Sequence, residues 1–444
     1  MTETETEAGQ VAAKQKSLLG IIYDFFSGYL LAVILLTFLL ALTYFGTMAQ
    51  VEMGLYEASD KYFESLFLVE KIAGVSFVLP GVYLVSALLF LNLTLGAIVR
   101  ARKSWRRPGM LIAHGGILYI LVAGFVAFHY TKEGNMLLYE PNGSDEMHQS
   151  DEIYSLINWS IEISKYGSDG KRKFIHVIGP DQLSGSWKEG EARSFVHSEI
   201  PFALKVSGYE KNIANGKGQL AGLMGEEKAK VKNKENNKKT IRVVEGFGIE
   251  SMPTNKTMEF NLPATYVDIY PRVGTNKYIG TNKYSSKEQA SGLLIGSSPP
   301  FAPKPFTFSI GDEQWSVDLT RHRYTLPFAI ELENFQKEDH PGTMRAREYS
   351  SDVIKIDTGR KVHISMNKPM RDAGYTLYQA SWGPEGAGPG DRLYTSLAVS
   401  HNPADQWPKY GTYVIAIGMT IHFVQKLFSY LKRTNRTRRR EEGS

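Results

Sequence analysis

The sequence predicts an integral membrane α + β fold: four transmembrane helices, with a large β-rich, sandwich-like extracytoplasmic domain inserted between helices 3 and 4. Three observations predict it. Four apolar runs, Ser27–Ala49, Ser76–Val99, Gly109–His129 and Tyr410–Leu431, each approach the ~20 residues that cross a bilayer core as a helix. Between the third and fourth lies a mostly polar stretch, residues 130–408, where short alternating segments are separated by Gly, Pro, Asn and Asp. An internal repeat in that stretch points to two related β units. The bulk figures, 22% charged residues and a mean hydropathy of −0.24, average over two unlike parts.

Residues 1–26 read as a cytoplasmic segment, in which Leu18, Ile21, Ile22, Phe25 and Phe26 form a helical apolar stripe suited to the membrane surface. The first run is not expected to be a cleaved signal peptide. Its apolar length exceeds the ~7–15 residues of such segments, and Glu3, Glu5 and Glu7 stand where a basic region would, although Thr47-Met48-Ala49 imitates a cleavage site. Three helices then span about 27–49, 76–99 and 109–129, with Tyr62–Leu68 as a second surface anchor.

The loop before the third span carries Arg100, Arg102, Lys103, Arg106 and Arg107 and no acid. The tail 432–444 carries Lys432, Arg433, Arg436, Arg438, Arg439 and Arg440. Between the first two spans, Glu52, Glu57, Asp60, Glu64 and Glu70 outnumber Lys61 and Lys71. Basic short loops stay cytoplasmic. Both termini are therefore expected inside a cytoplasmic (inner) membrane, the domain 130–408 in the periplasm, and the helix 409–431 returning.

Within the external domain, strands are expected at Ile153–Ile163, Ile241–Val244, Ala264–Tyr270, Thr307–Leu319, Val353–Asp357, Lys361–Met366 and Tyr375–Tyr378. The repeat matches Ile200-Pro201-Phe202-Ala203-Leu204-Lys205-Val206 to Leu326-Pro327-Phe328-Ala329-Ile330-Glu331-Leu332. Its Pro stands where no ladder N–H is needed, and its shared Phe and Ala read as core. Glu226–Lys239, mostly Lys, Glu and Asn, offers little apolar surface to offset its ordering entropy and reads as a mobile loop. Gly383–Asp391 reads as a turn-rich connector without the Lys-Ser/Thr ending of a phosphate loop.

The chain has no cysteine, which excludes disulfides, iron–sulfur ligation, Cys-based zinc and covalent haem of its own. The net charge of +5 comes mainly from clusters at membrane edges and gives no reason to expect nucleic acid. No triad, HExxH or paired-carboxylate motif occurs.

Chemistry concentrates on histidine. Those at 148, 176, 197, 322, 340, 363 and 401 are scattered over the external domain without metal-ligand spacing. His129 stands at the outer end of the third span, as an interfacial residue or a haem contact. His114 lies about one turn inside that apolar span, and His422 lies inside the fourth. A titratable imidazole in hydrocarbon faces a partner, a cavity or a cofactor rather than lipid. Both fall in the inner half of the membrane, where they could ligate one haem iron or pair with histidines of another subunit. The alternative is a helix–helix hydrogen bond aided by small Gly115, Gly116 and Gly418.

Val362-His363-Ile364-Ser365-Met366-Asn367-Lys368-Pro369-Met370 leads to Gly374-Tyr375-Thr376-Leu377-Tyr378-Gln379-Ala380-Ser381-Trp382. This block strongly resembles the segment before the last span in the ResB family, a subunit of the system II cytochrome c biogenesis machinery. Gly46-Thr47-Met48-Ala49-Gln50, Tyr349-Ser350-Ser351-Asp352-Val353 and Leu326-Pro327-Phe328 also resemble family features, so the likeness runs along nearly the whole chain. The resemblance implies a non-autonomous subunit of a cytochrome c haem lyase (synthase). With a ResC/CcsA-type, Trp-rich partner it would carry haem b across the membrane and support its attachment to Cys-x-x-Cys-His motifs of apocytochrome c.

The resemblance further implies that His114 binds the haem iron; His422, whose family correspondence is weaker, and His129 are secondary candidates from their positions in the spans. Arg102, Arg106 and Arg107 are candidates for the haem propionates, positive-inside anchoring being sufficient to explain them. None of the six Trp forms a Trp-Trp-Asp cluster, so the chain resembles half a synthase. Lacking cysteine, it departs from relatives that carry a thiol, which counts against direct thiol exchange with apocytochrome. Two rival readings are a transmembrane haem-binding electron carrier and a structural anchor whose β domain binds other proteins.

Overall fold

The computed structural model describes residues 17–441 apart from 73, 101–107, 142–147, 169, 184, 186, 189, 216–218, 236–240, 276–281, 298–303, 343–345, 385 and 388–389. The chain divides into two compact units, a helical one formed by the residues up to 130 and from 403, and a β-rich one formed by 131–402.

The helical unit begins with α1 (Leu18–Phe26), whose first turn is capped by the Ser17 hydroxyl accepting from the Gly20 N–H. The expected apolar stripe is thus helical. After a break at Ser27–Gly28 come α2 (Tyr29–Met53), a short α3 (Leu55–Ala58) and a hairpin of β1 (Phe67–Ile72) and β2 (Val75–Pro80). α4 (Val82–Leu93) follows and runs on as π-helical turns over Thr94–Val99. The second apolar run therefore does not start its helix at Ser76. Residues 76–80 are a strand, because the β-branched and aromatic Val75, Phe77 and Val78 pair with β1 before Gly81 opens the helix. Likewise Tyr62–Leu68 is no helical anchor: it passes from a π-turn at Ser59–Phe63 into β1.

α5 (Pro108–Tyr130) opens on proline, whose missing N–H is no loss at a helix start. The last helix, α8 (Trp407–Glu441), continues beyond the apolar run into the basic tail. Among the described residues, four helices are long and apolar enough to cross a membrane: Tyr29–Met53, Val82–Val99, Pro108–Tyr130 and the Trp407–Arg436 part of α8.

The β unit contains β3 (Lys132–Tyr139), β4 (Gln149–Tyr166), β5 (Arg172–Ile178), α6 (Pro180–Leu183), β6 (Ala192–Phe195), β7 (Phe202–Glu210), β8 (Leu223–Gly225) and α7 (Glu226–Glu235). Next come β9 (Val243–Val244), β10 (Phe247–Ile249), β11 (Ala264–Thr275), β12 (Asn282–Tyr284), β13 (Ala290–Ile295), β14 (Phe306–Ile310) and β15 (Glu313–Asp339). It closes with β16 (Ala346–Lys355), β17 (Arg360–Ser365), β18 (Met370–Asp372), β19 (Tyr375–Gly383) and β20 (Tyr394–His401). A ten-stranded sheet runs β17-β16-β15-β4-β3-β20-β19-β18, with β14 on β15 and β5 on β4. A five-stranded sheet runs β12-β11-β7-β6 with β13 on β11, and a small one runs β8-β10-β9.

Two cores result. Trp159, Ile161, Phe202, Leu204, Val206, Trp315 and Val317 belong to one, and Met136, Ile153, Phe328, Ile330, Leu332, Leu377 and Leu397 to the other. The repeat supplies one copy to each: Phe202 and Leu204 are buried in the first, Phe328 and Ile330 in the second. The two cores share the long strands β4 and β15, whose ladder is broken between Arg321 and Arg323 and again between Thr325 and Ile330. Pro327 stands in the second break, so no ladder hydrogen bond is lost. At the first, Arg323 grips Glu162 through two nitrogens, at 2.7 and 2.5 Å, and Glu152 at 2.7 Å.

Two expectations are corrected. Thr307–Leu319 is a hairpin, not one strand, since Gly311 turns it at φ +59°. Glu226–Glu235 is a helix rather than a mobile loop, and 236–239 lie outside the described residues. Lys, Glu and Ala are good helix formers, Glu226 pairs with Lys230 one turn on, and buried Ala229 packs with Met224 and Ile241. Asn233 then holds both the N–H and the carbonyl of Ile241.

Candidate functional site

Four glycines bring α5 and α8 together in antiparallel contact. A Cβ on Gly109 would lie 2.5 Å from Gly418 O and from His422 N, and one on Gly418 would lie 2.5 Å from Ala113 N. One on Gly116 would meet Ile415 at 2.7 Å, and one on Gly411 would meet Ile120 at 2.5 Å. Gly109 and Gly116 are seven apart on α5, as are Gly411 and Gly418 on α8, so each pair falls on one stripe. Gly115, expected to help, meets nothing within 4 Å.

His114 is half-buried on α5, ~100° round the helix from the contacting Ala113 and so off the α8 seam. Its Nδ1 lies 2.7 Å from Met110 O. A carbonyl only accepts, so Nδ1 carries the proton and the Nε2 lone pair is left available. That is the tautomer an iron ligand needs. No described residue bonds to Nε2.

His422, also half-buried, is not brought to His114. Its backbone lies against Gly109, five residues or ~7.5 Å along α5 from His114, and its ring neighbours Phe423. Arg102, Arg106 and Arg107 lie outside the described residues. The adjacent Arg100 is held by Ser27 Oγ at 2.9 Å, with Asp24 at 3.6 Å.

Between α4 and α5 lies an apolar slot of about 610 Å³. Tyr83, Ser86 and Phe90 come from α4, and Leu121, Gly124, Phe125 and Phe128 from α5. His129 stands at its rim. Its Nε2 lies 2.9 Å from Tyr83 Oη, and its ring centroid is 4.5 Å from that of Phe125 and 4.9 Å from that of Phe128. Leu121, Phe125 and Phe128 follow His114 by 7, 11 and 14 residues, which places them on its face of α5. Sequence reasoning missed Tyr83, Gly109 and Gly411; only the seven-residue glycine spacing offered a hint.

In the β unit the described residues hold no cluster of three His, Asp or Glu able to bind a metal. The histidines there have local neighbours: His363 with Asp352 at 2.7 Å, His148 with Glu331 at 3.5 Å, and His176 stacked on His197 at 4.3 Å. Burial, then His197, holds the His176 imidazole below its ordinary value. At the break in the ladder, burial pushes the Glu162 carboxyl up against the opposing pull of Arg323.

The Asn367–Trp382 block is structural. Lys368 turns the chain by donating its N–H to Ser365 O at 3.0 Å, Met370 and Leu377 are core, and Gly374 turns β18 into β19 at φ +81°. Buried Gln379 Nε2 donates to Thr395 Oγ1 at 2.8 Å, and Ser351 Oγ donates to Gln379 Oε1 at 2.8 Å. Two segments that resemble the family, around Ser351 and around Gln379, therefore meet in one polar network.

Residues 307–390 match the family model described as ResB-like family. Over 136 residues the chain is 28% identical to Protein NrfI of Wolinella succinogenes. That stretch covers 30% of this chain and 14% of the relative, so the chain spans only a small part of that protein's length. These findings bear out the resemblance read from the Asn367–Trp382 block: the chain carries a ResB-like family segment.

Proposed function

We propose that the chain is the ResB-type subunit of a system II cytochrome c synthase, carrying haem b across the cytoplasmic membrane and supporting its attachment to apocytochrome c outside. The observation that carries this reading is His114. It is a half-buried imidazole in an apolar helix, its Nδ1–H committed to Met110 O and its Nε2 lone pair available, in a chain with a ResB-like segment. Histidine is a common axial ligand of haem iron. Here haem is the cargo; His114 holds it, and the helix fixes the imidazole's tautomer.

Both termini are assigned to the cytoplasm and the β unit to the periplasm, supported by the basic short loop and tail. Arg102, Arg106 and Arg107 would meet the propionates at the entrance, since guanidinium forks match carboxylates. A ResC/CcsA-type partner would complete the membrane cleft, and apocytochrome c would be received outside. The electron-carrier reading needs His114 and His422 on one iron, whereas the backbone of His422 lies beside Gly109, five residues before His114 on α5.

The test is to express the full chain with and without its partner and compare reduced spectra of wild type and His114→Ala. Loss of haem together with loss of holo-cytochrome c supports the reading. Haem content and cytochrome yield unchanged in the variant would remove His114 from the pathway.

A further inference from the structure

We propose that the outward face of the β1–β2 hairpin is a lipid-binding surface, seated in the headgroup layer of the phospholipid leaflet where α2 ends and α4 begins. In the orientation proposed above this is the periplasmic leaflet. The inference rests on the four spans and is independent of the haem reading. Cross-strand partners share a face, so one face carries Phe67 with Pro80, Val69 with Val78 and Lys71 with Ser76. The other carries Leu68 with Leu79 and Glu70 with Phe77. That second face is turned to the helices. Leu68 is buried in a cluster with Leu42 of α2 and Val85 of α4, and Leu79 packs against it. Glu70 accepts from Tyr62 Oη and pairs with Lys61 Nζ, each at 2.5 Å, while Phe77 stays 45% exposed.

The outward face is open: Phe67 is 62% exposed, Val69 57% and Val78 69%. A two-stranded hairpin is marginal in water, and three large apolar side chains on one of its faces call for a cover. The hairpin's place in the chain says which cover. Only Gly81 separates β2 from α4, one of the four spans. Pro80, Val78 and Ser76 therefore lie within ~7, ~14 and ~21 Å of chain from Val82, where that span begins. Along this path the face passes from Phe67 and Pro80, through the two valines, to Lys71 and Ser76. It grades from apolar to ammonium and hydroxyl with distance from the span, as a leaflet grades from acyl chain to phosphate. No carboxylate stands on this face, and Lys71 is exposed, so its charge suits an anionic headgroup.

The depth is bounded as well. Among the described residues β1 and β2 form a sheet of two, so their outer edges carry N–H and C=O groups that hydrocarbon cannot satisfy. The strands therefore stay among headgroups and water, with the Phe67, Val69 and Val78 side chains dipping toward the acyl chains.

The chain has no cysteine, so single cysteines report without background. Val69→Cys, Val78→Cys and Lys71→Cys are made in the full chain, spin-labelled and placed in phosphatidylethanolamine/phosphatidylglycerol nanodiscs. All three sites are exposed, so a label displaces no packed side chain. Power saturation compares oxygen, which concentrates among acyl chains, with nickel ethylenediaminediacetate, which stays in water. Leu40→Cys, on a 72% exposed position of α2, is the hydrocarbon reference, and Lys173→Cys, on exposed β5, is the aqueous one.

The oxygen-to-nickel ratio at 69 and 78 is expected to be severalfold that at 173 and below that at 40, with 71 falling between 173 and the two valine sites. Ratios at 69 and 78 equal to that at 173 overturn the proposal, because the face then stands in water. Exclusion of both reagents from 69 and 78 also overturns it, since protein rather than lipid then covers the face. A ratio matching that at 40 would put the open strand edges in hydrocarbon and refute the headgroup placement.

Discussion

Replacing Gly418 by alanine tests the α5–α8 register directly. The added Cβ would stand 2.5 Å from Ala113 N, 2.8 Å from Gly109 O and 2.9 Å from Ala113 Cα, whereas ordinary contact begins at 3.4 Å. Every one of these atoms is backbone, so no rotamer change relieves the overlap. The helices must part locally by about 3.4 − 2.5 = 0.9 Å. A gap of that order forfeits a quarter to a half of the dispersion along the seam. Overpacking of this kind costs ~1–3 kcal/mol. Alanine also favours the helix over glycine by up to ~1 kcal/mol, which partly masks the loss.

Gly115→Ala isolates that propensity gain, because its Cβ meets nothing within 4 Å. The two variants should therefore differ by ~1–3 kcal/mol, Gly418→Ala being the less stable. Reversible unfolding of the full chain in mixed micelles, followed by helix circular dichroism, measures the difference. Equal stabilities for the two variants would show that the helices do not meet at these glycines, and the depth assigned to His422 beside Gly109 would go with them.

Three further outcomes are expected. Arg323→Met leaves Glu162, with a 5% exposed side chain, buried without its cation, and should cost the β unit up to ~3–5 kcal/mol in denaturant unfolding; an unchanged midpoint would mean that the pair contributes nothing. Asn92→Leu strips the donors serving Phe26 O and Gly28 O, at 2.7 and 3.0 Å, and should loosen the α1–α2 junction by ~1–3 kcal/mol, read as faster amide exchange there. Burial and His197 lower the His176 pKa below its ordinary ~6.5, only partly opposed by Glu199, so the folded state binds fewer protons than the unfolded one. The stability gained from neutral His176 is thus full above about pH 6.5 and lost as pH falls through the lowered value, and His197→Ala should flatten that slope in a pH series of unfolding midpoints.

The apolar runs were legible because a bilayer leaves few ways to satisfy a backbone, and α2, α5 and α8 follow them closely. The second run misled at Ser76–Pro80, where β-branched residues read as apolar length but fold as β2. The repeat was informative because Phe202 and Phe328 each fill a core. What stayed hidden was that β4 and β15 serve both cores: composition does not show that a strand breaks register at Arg321 and continues. Glu226–Glu235 was misread because its stability comes from one small contact, Ala229 with Met224 and Ile241, rather than from an apolar face. His114 was visible as a polar residue in an apolar helix. The partner of its Nδ1, the Tyr83–His129 pair and the slot beside them depend on geometry that spacing does not encode.

Because β4 and β15 run through both lobes, neither lobe could be excised without cutting a strand that the other also uses. The two halves of the β unit should melt in a single step. Strain applied at one lobe would be felt in the other along continuous backbone. An ancestral pair of modules would in this way have become one part, which neither half could leave without unravelling its neighbour.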